Sequence, residues 1–253
     1  MASVLELLQL ADASFPAGSF AFSNGLESLA KLGYLKSMRD FGEYLECHLE
    51  QIAAAEMPFL SSAFAASGPP VSGDTPPLLL AAGVDSDPTQ RVGNAPESFA
   101  AVAREWDAWV FLPAPRRASL SQGQAWTRAM EAAWDTPALR EIRPWFSARG
   151  IPLHFLMGFA ATLRATGFAL REAQSLLLHM ALRDQLGAAV RLGLIGSLQA
   201  QRLHRRHLAS SEALLETRSA RIAAGHAAAE RAAPMIDLGQ ASHPHLYSKL
   251  FQS

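Results

Sequence analysis

Residues 168–208 read FALREAQSLLLHMALRDQLGAAVRLGLIGSLQAQRLHRRHL, the longest run of nearly unbroken helix formers in the chain. The apolar residues Leu170, Ala173, Leu177, Met180 and Ala181 recur at steps of three and four, the spacing of a helix with one buried face. Past Gly187 the pattern continues through Val190, Leu194 and Leu198 and closes in the basic cluster Arg202, Arg205 and Arg206. Positive charge in a last helical turn complements the negative end of the helix dipole, which places a helix end there. Gly187, Ala188, Ala189, Gly193 and Gly196 carry little or no side chain, so a second helix can come close. The stretch predicts a core helix or helix pair, and with it an all-α fold.

The rest of the composition narrows the class. At 253 residues the chain is long enough for one large domain or two small ones, and with 49% apolar residues it can bury a sizeable core. A formal net charge of −1 gives no footing for a nucleic-acid or membrane-surface protein. The single Cys47 rules out an internal disulfide and a multi-cysteine metal site, and fits a reducing compartment. Glu6 and Asp12 in MASVLELLQLAD, with no basic stretch ahead of them, are unlike a signal peptide. The apolar runs near Leu153 and Leu177 are interrupted by His154, Arg164, Arg183 and Asp184, too soon to cross a bilayer. A cytoplasmic protein is expected.

Taken in order, Val4 to Ala11 predicts a short helix. In the loop that follows, Pro16, Gly18, Ser19 and Gly25 deny regular structure, while Phe15, Phe20 and Phe22 call for burial. Asn24 and Glu27 have capping-box spacing, as do Ser37 and Asp40, so helices are expected to start at both, the first stopping near Gly33. Pro58 must kink or divide the second. The segment 67–97 is rich in Pro, Gly, Ser and Asp and reads as an exposed loop or insertion within one domain spanning residues 1–253. Helical periodicity returns over Ser98 to Phe111. Further helices are expected after Pro115, at Thr136-Pro137 with proline in the first turn, at Pro152, and from Ser210–Glu212 to about Arg231. The tail 234–253, broken by Pro234, Gly239 and Pro244, is a poor helix. It nevertheless carries Leu246, Tyr247, Leu250 and Phe251, apolar anchors that suggest docking on the protein's own core or on a partner.

Catalytic motifs are scarce. There is no P-loop, GxGxxG, GxSxG or HExxH. Ser28 and Lys31 match an SxxK pattern, but without its companion motifs they read as a solvated helix face. His204 with His207, or His243 with His245, could offer two imidazoles to a metal; a basic helix end and a hydrogen-bonded loop residue explain them as well. His48, His154 and His179 read as core histidines, and Cys47 as a small buried hydrophobe. TLRATGFALREAQSLL has the turn of a helix-turn-helix. A DNA-binding regulator is therefore the alternative reading, although its second helix carries few basic residues.

Four stretches in order along the chain resemble the urease accessory protein F family. The first holds Leu8, Gln9 and Leu10, then Pro16, Gly18, Phe20, Ser23, Gly25, Leu26 and Glu27. The second holds Arg117, Ala118, Ser119, Gln122 and Gly123, and the third His154, Gly158, Arg191, Leu192, Gly196 and Gln201. The ending holds Asp237, His243, Leu246, Tyr247, Ser248, Lys249, Leu250, Phe251 and Ser253. Ser19 stands where the family often has glycine. Lys249 stands where arginine is usual, keeping the charge without the planar fork.

The resemblance implies a non-enzymatic, all-helical, homodimeric accessory factor for urease maturation. Such a factor binds accessory protein D (also called H), recruits the GTPase accessory protein G and docks on apo-urease. It would hold no cofactor tightly, nickel being cargo that passes through the complex. In the family the C-terminal segment becomes ordered on binding protein D. Pro16, Gly18, Phe20, Ser23, Gly25, Glu27, Arg191, His243, Leu246, Tyr247, Ser248, Lys249, Leu250 and Phe251 are the expected partner-binding residues, with His243 the candidate nickel contact.

Overall fold

The computed structural model describes residues 3–66 and 98–252; the segment 67–97, expected as a loop, lies outside them, as does Ser253. Among the described residues there is no strand. The elements are α1 (Val4–Ala11), α2 (Leu26–Lys31), α3 (Met38–Gln51), α4 (Met57–Ala65), α5 (Phe99–Trp109) and α6 (Pro113–Trp134). They continue through α7 (Pro137–Ala148), α8 (Phe155–Ala165), α9 (Leu170–Arg191), α10 (Ser197–Thr217), α11 (Ser219–Ala223) and α12 (Pro234–Ser242).

The stretch that predicted the fold is the helix pair α9 and α10. Helix α9 is apolar on several faces: Ala173, Leu176, Leu177, Leu178, Met180, Leu182 and Leu186 are all buried, which marks a core helix rather than a surface one. It packs against α1, α2, α3, α4, α8 and α10. The turn between α8 and α9 therefore does not present a recognition helix, since the helix that would enter a groove is covered by its neighbours. Helix α10 runs on to Thr217, so the basic cluster of Arg202, Arg205 and Arg206 is mid-helix, and Ser210–Glu212 continue a helix rather than start one. Ser211 Oγ donates back to the His207 carbonyl at 2.8 Å, a bond that lets serine sit inside a helix.

Helix α8 is the other centre. Every residue from Leu156 to Leu163 is buried. It lies on α6 at Gly123, where a Cβ would fall 2.2 Å from the Leu153 carbonyl oxygen, so only glycine permits the approach. Across the seam Trp126 Nε1 donates to Thr162 Oγ1 at 2.8 Å. His154 precedes α8, its Nε2 donating to Asp107 at 2.9 Å and its Nδ1 accepting from Ser119 Oγ at 3.0 Å. That Oγ in turn accepts the Phe155 N–H at 3.2 Å, so Ser119 caps α8 from a neighbouring helix. The helix starts at Phe155, and Pro152, expected in its first turn, lies ahead of it.

Other local expectations divide. The Ser37–Asp40 capping box and the Thr136–Pro137 start are present. Pro58 divides its helix through a π-helical turn, Ile52–Glu56, in which Met57 N–H reaches back to Ile52. Lacking an N–H, Pro58 leaves the Ala54 carbonyl free to accept from Glu230 N–H at 3.1 Å. Asn24 and Glu27 form no capping box: Gly25 is the cap residue of α2, and Glu27 points inward. Cys47 is exposed, on the outer face of α3. The tail opens as a helix after all, with Pro234 in the first turn of α12, where its missing N–H is harmless.

Candidate docking site

Glu27 is the centre of the arrangement. Gly25, at φ 92°, turns the chain into α2 and lets α12 approach so closely that a Cβ would sit 3.0 Å from Gln240 N. With α12 held there, His243 and the residues after it are laid over Glu27. The glutamate is fully buried. Oε1 accepts from Lys31 Nζ at 2.7 Å and from Leu250 N–H at 2.7 Å. Oε2 accepts from Phe251 N–H at 3.1 Å and from His243 Nε2 at 3.3 Å. Burial alone pushes this carboxyl's pKa up, but the bonds from Lys31, the two tail amides and His243 outweigh it and hold the group below its ordinary range. His243 is also buried. Desolvation, opposed by the nearby Glu27, keeps its pKa below the usual value.

Two further contacts fasten the tail. Lys31 Nζ reaches on to the Ser248 carbonyl at 2.5 Å. Gln252 N–H donates to the Ala21 carbonyl at 2.9 Å. Beside them the Arg191 guanidinium lies between two rings, 3.6 Å from the Phe20 centroid and 4.2 Å from that of Phe251, while Nη1 donates to the Phe20 carbonyl at 2.6 Å.

The expected residues therefore separate by role. Glu27, Arg191, His243, Ser248, Leu250 and Phe251 meet at one place. Ser23 is buried and its Oγ accepts the Glu27 N–H, shaping the start of α2. Pro16 and Gly18 shape the far end of the loop, where Gly18, at φ 74°, approaches Ala125 of α6. Lys249 stays apart from this set, its Nζ turning back to the Pro244 carbonyl at 3.0 Å. Leu246 is half-buried. Phe20 corrects its expectation: it is 73% exposed, covered only by the guanidinium, whereas Phe22 is buried and Phe15 packs on Trp126. Of the tail's anchors Phe251 is buried at 4% exposure, while Leu250 is 59% exposed and Tyr247 fully so. Lys31 was missed as part of this site. Its spacing of four from Glu27 on a helix was the available signal, though only the fold reveals the tail as its second partner.

What this geometry can do is present side chains. Phe20, Tyr247, Lys249 and Leu250 are all exposed, three of them on tail backbone that Glu27 and Lys31 hold at Ser248, Leu250 and Phe251. The SxxK pair makes no nucleophile: Ser28 is buried and Lys31 is directed to Glu27 and Ser248. Among the described residues no group of three or more His, Cys, Asp or Glu is placed to hold a metal ion, and no helix is long and apolar enough to cross a membrane.

Several known proteins are similar to the chain over most of its length. The chain is 26% identical over 248 residues to the urease accessory protein UreF of Trichodesmium erythraeum, covering 98% of this chain and 95% of that protein. It is 27% identical over 247 residues to urease accessory protein F of Arabidopsis thaliana, covering 97% and 90%. A shorter match to the UreF of Citrobacter koseri is 45% identical over 47 residues, 19% of this chain and 21% of that one. The UreF family model matches residues 35–208, most of the helical core, and the chain belongs to the UreF family of urease accessory proteins.

Proposed function

We propose that the chain is a docking component of urease maturation. It binds accessory protein D (H) through the surface built by residues 16–27 and 243–252, and the complex then engages the GTPase accessory protein G and apo-urease, with nickel as the cargo. It works as a homodimer and carries out no catalysis of its own. Family membership and the names of its relatives support the urease setting. The observation that carries the docking role is the tail itself: Tyr247 and Leu250 are held outward although large apolar side chains gain by burial, about 1.5–3 kcal/mol each. A surface of that kind is suited to be covered by a partner. The buried α9 argues against the DNA-binding alternative.

The test is light scattering after size-exclusion chromatography of mixtures with accessory protein D. The chain ending at Leu246 is the right truncation, because α12 carries the buried Ile236 and must stay. Full-length protein is expected to form a complex of defined mass. The truncated chain and Phe251→Ala are expected to lose at least about tenfold in affinity, about 1.4 kcal/mol, with the helical spectrum unchanged. Equal binding by the truncated chain would remove the tail from the interface, and no binding by the full chain would remove the docking reading.

A further inference from the structure

We infer that His179 and His204 form a two-imidazole site for a divalent transition-metal ion at the seam of α9 and α10. The site lies outside the docking surface and does not depend on the docking reading. In the sequence His204 pairs with His207, the next turn along α10. The fold separates them: His207 is buried in the field of Glu46 on α3, while the His204 ring meets that of His179 across the seam.

Spacing and unmet hydrogen bonding both point to an ion. Imidazole nitrogens bind such an ion at about 2.0–2.1 Å, which puts it about 3.2 Å from each ring centre; a tetrahedral angle then sets two ring centres about 5.2 Å apart. The observed separation is 5.1 Å, with the ring planes at 40°. Rings in plain contact also reach this distance, so polarity decides. His204 Nε2 is buried and has no hydrogen-bond partner, a costly state that coordination removes. On the other side of the seam, the Ala11 backbone at the end of α1 attracts the proton of the His179 ring. That leaves the second nitrogen of this ring bare, as in a histidine oriented for a metal by a carbonyl behind it.

The surroundings set the kind of ion and the strength of its hold. Imidazole suits nickel, copper and zinc, whereas magnesium and calcium take oxygen ligands. Burial is the largest cause lowering the pKa of both rings, and Arg183 adds to it, so at neutral pH both are unprotonated and free to ligate. Arg183 lies one turn along α9 from His179. Its charge is opposed by Asp184 at 2.8 Å, and it is tied to the carbonyls of Ala11 and Asp12 at 2.8 and 3.0 Å. Among the described residues no third His, Cys, Asp or Glu completes a metal-binding group, so water fills the remaining positions. The site is therefore exchangeable, unlike the closed four-ligand sites that hold a structural ion.

The test is calorimetric titration of the untagged, full-length protein with Ni²⁺ alone, near neutral pH. The wild type is expected to take up one ion per chain in the micromolar range. His204→Gln and His179→Gln are each expected to weaken uptake by at least about tenfold, with the helical spectrum unchanged. Should His204→Gln fail to fold, His179→Gln, at the half-buried ring opposite, decides the matter. His243→Gln serves as the control and is expected to leave uptake as it is. No uptake by the wild type would overturn the inference, as would uptake undiminished by the loss of either ring. Uptake lost in His243→Gln and kept in the other two variants would overturn it in favour of the tail.

Discussion

Glu56 sits at the end of the π-helical turn, facing a cavity that His48, Trp106 and Asp184 also line. Burial raises its pKa to about 7, and burial lowers that of His48 to about 4. The two therefore pull stability in opposite directions. A carboxyl whose folded pKa lies above its unfolded 4.5 favours folding fully below pH 4.5, and that advantage disappears as the pH climbs to 7. A histidine depressed from 6.5 to about 4 favours the fold above 6.5 and loses that support as the pH falls. Glu56→Gln, which cannot ionise, is expected to stabilise the protein at pH 8 by about 2–3 kcal/mol and to change little at pH 4.5. Thermal melts of both proteins at the two pH values check this; an equal shift at both would mean that packing and not ionisation sets the difference. Arg191 shows a different use of one side chain. Desolvation lowers its pKa, but arginine stays charged, and the charge sits on two aromatic faces that belong to opposite ends of the chain.

At the scale of elements, α6 meets the segment leading into α8 at Gly123. Gly123→Ala would drive a methyl group into the Leu153 carbonyl, a backbone atom that cannot swing aside. The expected loss is about 1–3 kcal/mol or more, read as a fall of several degrees in melting temperature for a protein of this size. A melting curve matching the wild type would mean that the helices can slide apart at this seam without penalty. Helices with local signals were legible in the sequence: Ser37 and Asp40 cap α3, Thr136 and Pro137 open α7, and the apolar period of residues 170–190 marks α9. Boundaries set by distant partners were not. Ser119 caps α8 across the α6 seam, so nothing near Pro152 announces where that helix begins. Helix α10 passes Ser210–Glu212 because its packing continues there, overriding a local start signal. Glu27 had the spacing of a capping residue and faces inward because the tail, more than two hundred residues away, supplies its donors. The candidate site was legible as a set of motifs, and illegible as an assembly.

Across the whole molecule, the matched family core and the candidate docking surface are built differently. Residues 35–208 hold α9 and the α6–α8 seam, whereas the surface joins residues 16–27 to 243–252 and borrows only Arg191 from the core. Core helices share one continuous apolar cluster and should open only with global unfolding. The tail, by contrast, is held by one buried ring and a few hydrogen bonds, so it should open locally at a lower free energy. Native-state hydrogen exchange is expected to show this hierarchy, with Leu250 and Phe251 amides exchanging well before those of α8. The pH dependence follows from Glu27: its depressed pKa means its bonds stabilise the docked tail above the ordinary value of 4.5 and fail as the pH falls through the folded value. Protonation of His243, whose pKa is also depressed, acts in the same direction. Tail protection should therefore decline on acidification while protection in α8 persists. If the tail and α8 lost protection together, at the same denaturant concentration and the same pH, the tail would be an integral part of the core, and its seat on Glu27 could not act separately from the fold.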